Sequence, residues 1–300
     1  MEICVFGAGS LGTLIGGVLA REHTVTLVGR EPHVSAIERD GLRISGAIEE
    51  TTHPAATTTP PEAADLAVVA VKSFDTAEAA DELAACSLDG VLSVQNGMGN
   101  EELLAEALDC PVLAGTCTYG ARRGDPGTVE CTGIGDFVIG ARDGGKSALA
   151  DRVTAAFTDA GLVAESSTAM PRNLWAKLAV NAGINATTAL ARIPNGSLLD
   201  GPAASVAAEA ARETARVARQ QGIDLSDEQA VRRTREVAAA TAANTSSMQQ
   251  DVLGTARTEI DAINGYVVET ADDTPVPTNE ALTALLRAWE HEQGLRSVES

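Results

Sequence analysis

The stretch RNLWAKLAVNAGINATTAL, residues 172 to 190, spaces one lysine and three asparagines four apart: Asn173, Lys177, Asn181 and Asn185. On a helix, four residues advance by one turn plus about 40°, so these side chains form one slowly drifting polar stripe. Leu174, Trp175, Leu178, Val180 and Ile184 flank it, which predicts a stripe facing a cleft or a neighbouring element rather than open water. An ammonium there can protonate an oxygen on which charge develops. Neutral amides can hydrogen-bond a carboxylate or hydroxyl without adding a charge beside the lysine. The competing reading is structural, with amides satisfying the backbone of a packed neighbour.

A second constellation opens the chain. ICVFGAGSLGTLIGGVLA reads as a short strand, a glycine turn and a helix, with Gly7, Gly9 and Gly12 in GxGxxG spacing and Ala8, Ser10 and Leu11 between them. The first glycine permits a tight turn, the second leaves bare backbone for a pyrophosphate, and the third lets the helix pack close, with phosphates at its N-terminus. The second strand, TVTLVGR, ends on Arg30. An acidic residue at that point selects the ribose 2′-hydroxyl of NAD, whereas a guanidinium can fork onto a 2′-phosphate, which favours NADPH. Arg30 as a solvated loop residue is the alternative.

Further strand-like runs follow over residues 64 to 72, 90 to 97 and 111 to 117, with helical stretches between them, the alternation of a parallel sheet. Lys72 and Asn96 fall at the carboxyl ends of such strands, where ligands of open α/β sheets bind. A strand-end charge and an ordinary NG turn are the competing readings. GTVECTG and GDFVIGA, residues 127 to 141, read as an antiparallel hairpin that extends the sheet. A helix near 147 to 160 and the strand GLVAESS close the first domain, with the boundary at Met170 and Pro171.

From Pro171 onward helical periodicity dominates. Helices are expected over 171 to 190, 202 to 221, 226 to 243, 247 to 270 and 278 to 292, and the loop IPNGSLLDGP presents Asn195. If the fourth of these stays regular past Gly254, Ser247, Asp251 and Glu259 share one broad side. Ser246 and Ser247 also suit a helix N-cap, and Asp251 a first-turn acid.

The 300 residues are 44% hydrophobic and carry a formal charge of −20, from Asp+Glu 42 against Lys+Arg 22. That length supports two cored domains, and that charge repels nucleic acid and anionic membrane. No run has the length of a membrane span. The only lysines are Lys72, Lys146 and Lys177. An acidic, lysine-poor, alanine-rich surface suits a cytosol with molar salt, where screening acts within about 3 Å, and so a halophilic source. Cys4, Cys86, Cys110, Cys117 and Cys131 are odd in number and lack CxxC spacing, which argues against a zinc site or a disulfide framework and for a reducing cytoplasm.

WAKLAVNAGIN with the downstream IPNG, the NGMG after a strand, the TSSMQQD segment and RTEIDAINGY together resemble the ketopantoate reductase family, in order and spacing along nearly the whole chain. The resemblance implies a fold in the manner of 6-phosphogluconate dehydrogenase: a Rossmann dinucleotide-binding domain over residues 1–169, then an all-helical substrate-binding and dimerisation domain over 170–300. It implies NADPH-dependent reduction of ketopantoate to (R)-pantoate in the cytoplasm, on the way to pantothenate and coenzyme A, with NADH as a second coenzyme, by a homodimer. It makes Lys177 the proton donor and Asn181, Asn185, Asn195 and Ser247 substrate contacts. Lys72 and Ala121 join the glycine turn and Arg30 at the coenzyme, with Asn96 and Glu259 reaching both ligands. Tyr119 and Gly120, before ARR, depart from the family pattern. Two alternatives remain at this level: another NAD(P)-dependent 2-hydroxy-acid dehydrogenase of the same architecture, or a non-catalytic nucleotide-sensing module.

Overall fold

The computed structural model of the chain describes residues 1–296. Two compact units emerge, one of Met1–Gln95 with Asn100–Met170, the other of Asn96–Gly99 with the chain from Pro171 onward. The first is built on an eight-stranded sheet. Its parallel core comprises β1 (Glu2–Phe6), β2 (Thr24–Val28), β5 (Ala55–Thr57), β7 (Leu66–Val69), β9 (Val91–Ser93) and β10 (Val112–Cys117), in the order β5-β2-β1-β7-β9-β10. β13 (Phe137–Ala141) joins β10 antiparallel, and β14 (Ala164–Ser166) joins β13 parallel.

The pleat explains why these short runs are nearly all apolar. Ile3 and Val5 of β1 enter one buried cluster with Leu14, Leu27 and Phe137, while Cys4 and Phe6 enter another with Val69, Leu83 and Leu104. A strand covered on both faces has no reason to alternate with polar residues. The covering helices are α1 (Ser10–Leu19), α2 (His33–Asp40), α3 (Thr76–Leu83), α4 (Asn100–Ala107) and α5 (Ala148–Asp159).

A second, four-stranded sheet was not expected. It consists of β4 (Glu50–Thr52), β3 (Leu42–Gly46), β12 (Thr128–Gly133) and β11 (Gly120–Arg123), while β6 (Ala63–Ala64) and β8 (Ser87–Leu88) form a small pair of their own. The expected hairpin between residues 127 and 141 is therefore wrong in its partners. β12 pairs with β11 and β3, whereas β13 pairs with β10. The chain runs up β10 and β11 and returns down β12 and β13 as one antiparallel ribbon that changes sheet at Thr118–Gly120 and Gly133–Asp136. Gly135 sits so tightly against Thr118 that a Cβ would lie 2.3 Å from its carbonyl carbon. Alternation of apolar residues marks a strand but does not name its partner.

The second unit is helical: α6 (Met170–Ala191, whose first residue groups with the first unit), α7 (Pro202–Gln220), α8 (Asp227–Ala240), α9 (Ser247–Leu253), α10 (Tyr266–Thr270) and α11 (Pro277–Glu292). Its core is alanine-rich, and α6 is wrapped on most sides. Trp175, Leu178, Ala179, Ala182 and Ala186 belong to one cluster, and Val180 and Ile184 to another. The helix expected over 247 to 270 breaks. Gly254 caps α9, Thr255 takes a left-handed φ of 51°, and helical geometry resumes only in a π turn at Asp261–Gly265. Ser247, Asp251 and Glu259 consequently do not share one helical face. Among the described residues, no helix is long and apolar enough to cross a membrane.

Candidate active site

The turn after β1 has the geometry that its glycines require. Gly7 has φ +105°, and a Cβ there would lie 2.7 Å from Val71 Cγ1. At Gly12 a Cβ would fall 2.1 Å from the carbonyl oxygen of Gly7, so the helix can approach the turn only because the side chain is absent. Gly9 differs: its φ is −78°, and a Cβ would have no neighbour nearer than 4.0 Å. Its lack of a side chain leaves space rather than relieving a clash. Gly9 caps α1 without any side-chain cap, and no acidic residue stands in the first turn. The amide groups there suit an anion.

Around that turn lie further expected residues of the same unit. Ala8 is buried and donates its N–H to the carbonyl of Val28 at 2.8 Å. Ser10 Oγ accepts from the backbone N–H of Arg123 at 3.1 Å, which ties β11, and with it Ala121, to the start of α1. Leu11 packs against the sheet cluster. Arg30 follows β2 with its side chain 86% exposed and a loose 4.0 Å approach to Asp75. Lys72, partly buried after β7, precedes the 3₁₀ turn Ser73–Asp75. Gly7, Arg30 and Lys72 thus follow three adjacent parallel strands, at the carboxyl edge where such sheets bind nucleotides.

Sequence reasoning passed over His33. It is 3% exposed, its Nδ1 accepts from the Gly127 N–H at 3.1 Å, and its Nε2 lies 3.1 Å from Thr13 Oγ1. The ring is therefore neutral with its proton on Nε2. Burial, then the positive charge of Arg123, holds its pKa below the ordinary histidine value. Through Thr13 and Gly127 it braces the glycine-turn helix.

In the second unit, α6 carries the polar stripe. Asn173, Lys177 and Asn181 are half-buried within a helix whose neighbouring positions are buried, and Asn185 is 6% exposed. Several other segments meet near it. Asn264, fully buried in the π turn, donates through Nδ2 to the carbonyl of Ala182 at 3.0 Å and to Asn279 Oδ1 at 2.9 Å. Asn279 in turn donates to the buried Glu213 of α7 at 2.8 Å. This network fixes the segment that begins at Glu259, itself 4% exposed, beside the turn of α6 that bears Asn181. The NGMG loop seats on the same segment, with the Met98 N–H donating to the carbonyl of Ala262 at 3.0 Å. Gly97 has φ +83° and would place a Cβ 2.5 Å from Ala262 Cβ. The loop of Asn96, the segment of Glu259 and the helix of Lys177 are thereby brought together.

Asn195 is held at the end of α8. Its N–H donates to the carbonyl of Asn244 at 3.0 Å and its Nδ2 to Thr241 Oγ1 at 2.9 Å, while its buried Oδ1 has no hydrogen-bond partner among the described residues. Ser247 is the exposed first residue of α9. The cap of that helix is Ser246, whose Oγ accepts from Gln249 N and lies 2.7 Å from Thr188 Oγ1 of α6. An S-x-x-Q pattern signals that cap, whereas the supporting roles of Thr241, Asn264 and Thr188 depend on distant partners and carry no local signal. An open depression of about 620 Å³ on α7 and α8, lined by residues such as Leu199, Arg212, Val231 and Arg235, contains none of the candidate residues.

Residues 3–144 match the family described as ketopantoate reductase PanE/ApbA, and residues 169–290 match its C-terminal part. The 2-dehydropantoate 2-reductase of Halobacterium salinarum is 44% identical over 298 residues, covering 96% of this chain and 98% of that protein. The chain is an oxidoreductase of the ketopantoate reductase family. A PanE/ApbA family ketopantoate reductase from Ralstonia eutropha, solved as a crystal structure, superposes with a TM-score of 0.89 at 34% identity, across 98% of this chain and 100% of that one. D-mandelate dehydrogenase, solved with NADH and anilino(oxo)acetate, superposes with a TM-score of 0.91 over 99% of this chain and 100% of that one; at 23% identity it shares the fold.

Proposed function

We propose that the protein reduces ketopantoate to (R)-pantoate with NADPH, as a cytoplasmic homodimer on the route to pantothenate and coenzyme A, with Lys177 as the general acid. The observation that carries this reading is the stripe on α6, where a lysine and amides at four-residue spacing stay partly accessible inside an apolar helix. A coenzyme-binding domain over residues 1–169 holds the coenzyme, and the helical remainder holds substrate and forms the dimer. The open space at Gly9 and the uncapped first turn of α1 fit a pyrophosphate. Exposed Arg30 fits a 2′-phosphate. Gly7, Ala8, Gly9, Ser10, Leu11 and Gly12 cradle the coenzyme, with Lys72, Asn96, Ala121 and Glu259 beside it.

The bound coenzyme supplies a hydride for the ketone carbon. Lys177 stabilises the negative charge that grows on the ketone oxygen and then transfers its proton to that oxygen. Asn181, Asn185, Asn195, Asn96 and Ser247 orient the substrate's carboxylate and hydroxyl by hydrogen bonds that leave the lysine as the sole cation of the stripe. In Lys177→Ala, turnover falls by about 10²- to 10⁴-fold, while the NADPH Kd, read by fluorescence, stays near that of the parent. A variant with normal turnover removes Lys177 from the mechanism. A second reading, reduction of a different 2-keto acid, draws on the fold shared with D-mandelate dehydrogenase and is separated by a substrate panel.

A further inference from the structure

Glu259 occupies the middle of a turn that distant parts of the second unit hold closed. Thr258 Oγ1 accepts from the backbone N–H of Ile260 at 3.3 Å, bridging the residues on either side of Glu259. The same hydroxyl donates to Glu290 Oε1 at 2.6 Å, and the Thr258 N–H donates to that oxygen at 2.8 Å. Glu290 lies on α11 and is fully buried, at 0% exposure. Its other oxygen, Oε2, accepts from Arg296 Nε at 3.0 Å and Nη2 at 2.9 Å. Arg296 also bonds Asp261, on the far side of Glu259, and Arg287 Nε donates to Asp261 Oδ1 at 2.8 Å. Beyond the turn, the Ile263 N–H donates to the Glu259 carbonyl at 3.1 Å.

Packing does not account for Glu290. Leu282 and Leu286 already supply α11 with buried apolar contact, and a buried carboxylate is costly unless it is paired and hydrogen-bonded. Both of its oxygens are committed to one task. One holds Thr258, and the other holds the arginine that also grips Asp261. We infer that Glu290 is a positioning residue: through Thr258 it fixes the backbone that presents Glu259, and Arg296 couples that anchor to Asp261. The inference rests on the reading of Glu259 as a residue that meets substrate and coenzyme.

A double-mutant cycle on the full-length enzyme tests it, with Thr258→Val and Glu290→Gln each combined with Glu259→Gln. Thr258→Val removes the hydroxyl link but keeps the N–H bond to Glu290, so the fold is retained even if Glu290→Gln does not fold; Thr258→Ser restores both bonds. Thr258→Val is expected to lower kcat/KM for ketopantoate about tenfold, Thr258→Ser to recover most of that loss, and neither to cause further loss in the Glu259→Gln background. The NADPH Kd, measured without turnover, is expected to show the same non-additivity. Equal losses in both backgrounds, or no recovery with serine, would reduce Glu290 to a structural role and overturn the inference. If Glu259→Gln alone changes neither kcat/KM nor Kd, the assignment of Glu259 itself fails, a result distinct from a failure of the clamp.

Discussion

Adding one methyl group at Gly9 and, separately, at Gly12 divides coenzyme binding from folding within a single motif. At Gly12 the new Cβ would lie 2.1 Å from the Gly7 carbonyl oxygen and 3.2 Å from Ala70 Cβ. Relief needs a shift of about 1 Å between α1 and the turn, and overpacking of that kind costs about 1–3 kcal/mol. At about 2–4 °C per kcal/mol for a unit of this size, Gly12→Ala melts roughly 2–12 °C lower. At Gly9 the nearest atom to a new Cβ is 4.0 Å away and φ is −78°, so Gly9→Ala strains nothing and its melting temperature is unchanged or slightly raised. The methyl would nevertheless stand where the pyrophosphate meets the backbone. Loss of one charge-assisted hydrogen bond, about 1.5–3 kcal/mol, corresponds to an NADPH Kd about 10- to 100-fold weaker. Differential scanning fluorimetry and NADPH fluorescence titration read the two quantities. A Gly9→Ala protein that binds NADPH as the parent does would refute the placement of the pyrophosphate at this turn.

Replacing Arg30 by alanine should raise the KM for NADPH by about 10- to 100-fold, the loss of one charge-assisted contact, and leave that for NADH nearly unchanged; equal effects in steady-state assays would remove its role in coenzyme choice. His33 is held neutral in the fold, with its pKa below the unfolded value. Its stabilising contribution is therefore complete above about pH 6.5 and is lost as the pH falls below that value toward the folded pKa. Melting temperature should fall as the pH is lowered through about 6.5, and His33→Gln should flatten that slope; a parental slope in the variant would assign the effect to other groups. With a formal charge of −20, melting temperature should rise steeply between low and molar KCl as self-repulsion is screened, and an unchanged value would argue against adaptation to high salt.

Much of the architecture was legible in local sequence. The strand, glycine turn and helix at the start and the fully apolar strands of the parallel core followed from residue type and spacing, as did the long helices after Pro171, because each is set by neighbours in the chain. The second sheet was not legible. Its strands are short, and β12 pairs with β3, more than eighty residues earlier, a choice made by tertiary contact. The break after α9 was legible only at Gly254, because the segment beyond it is drawn away by Glu290, Arg287 and Arg296. At the candidate site, the lysine and amide stripe and the glycine turn announce themselves by spacing. The groups that hold Glu259, Asn195 and the NGMG loop come from other helices, so their significance emerges only with three-dimensional partners.

Reduction of ketopantoate is tested by following NADPH absorbance in molar KCl as ketopantoate is added, with other branched 2-keto acids and an NADH series run beside it. Rapid oxidation of NADPH with ketopantoate, and little with the other acids, is the predicted result. Folded protein that binds NADPH but reduces another of these acids faster than ketopantoate, or reduces none of them, would contradict it.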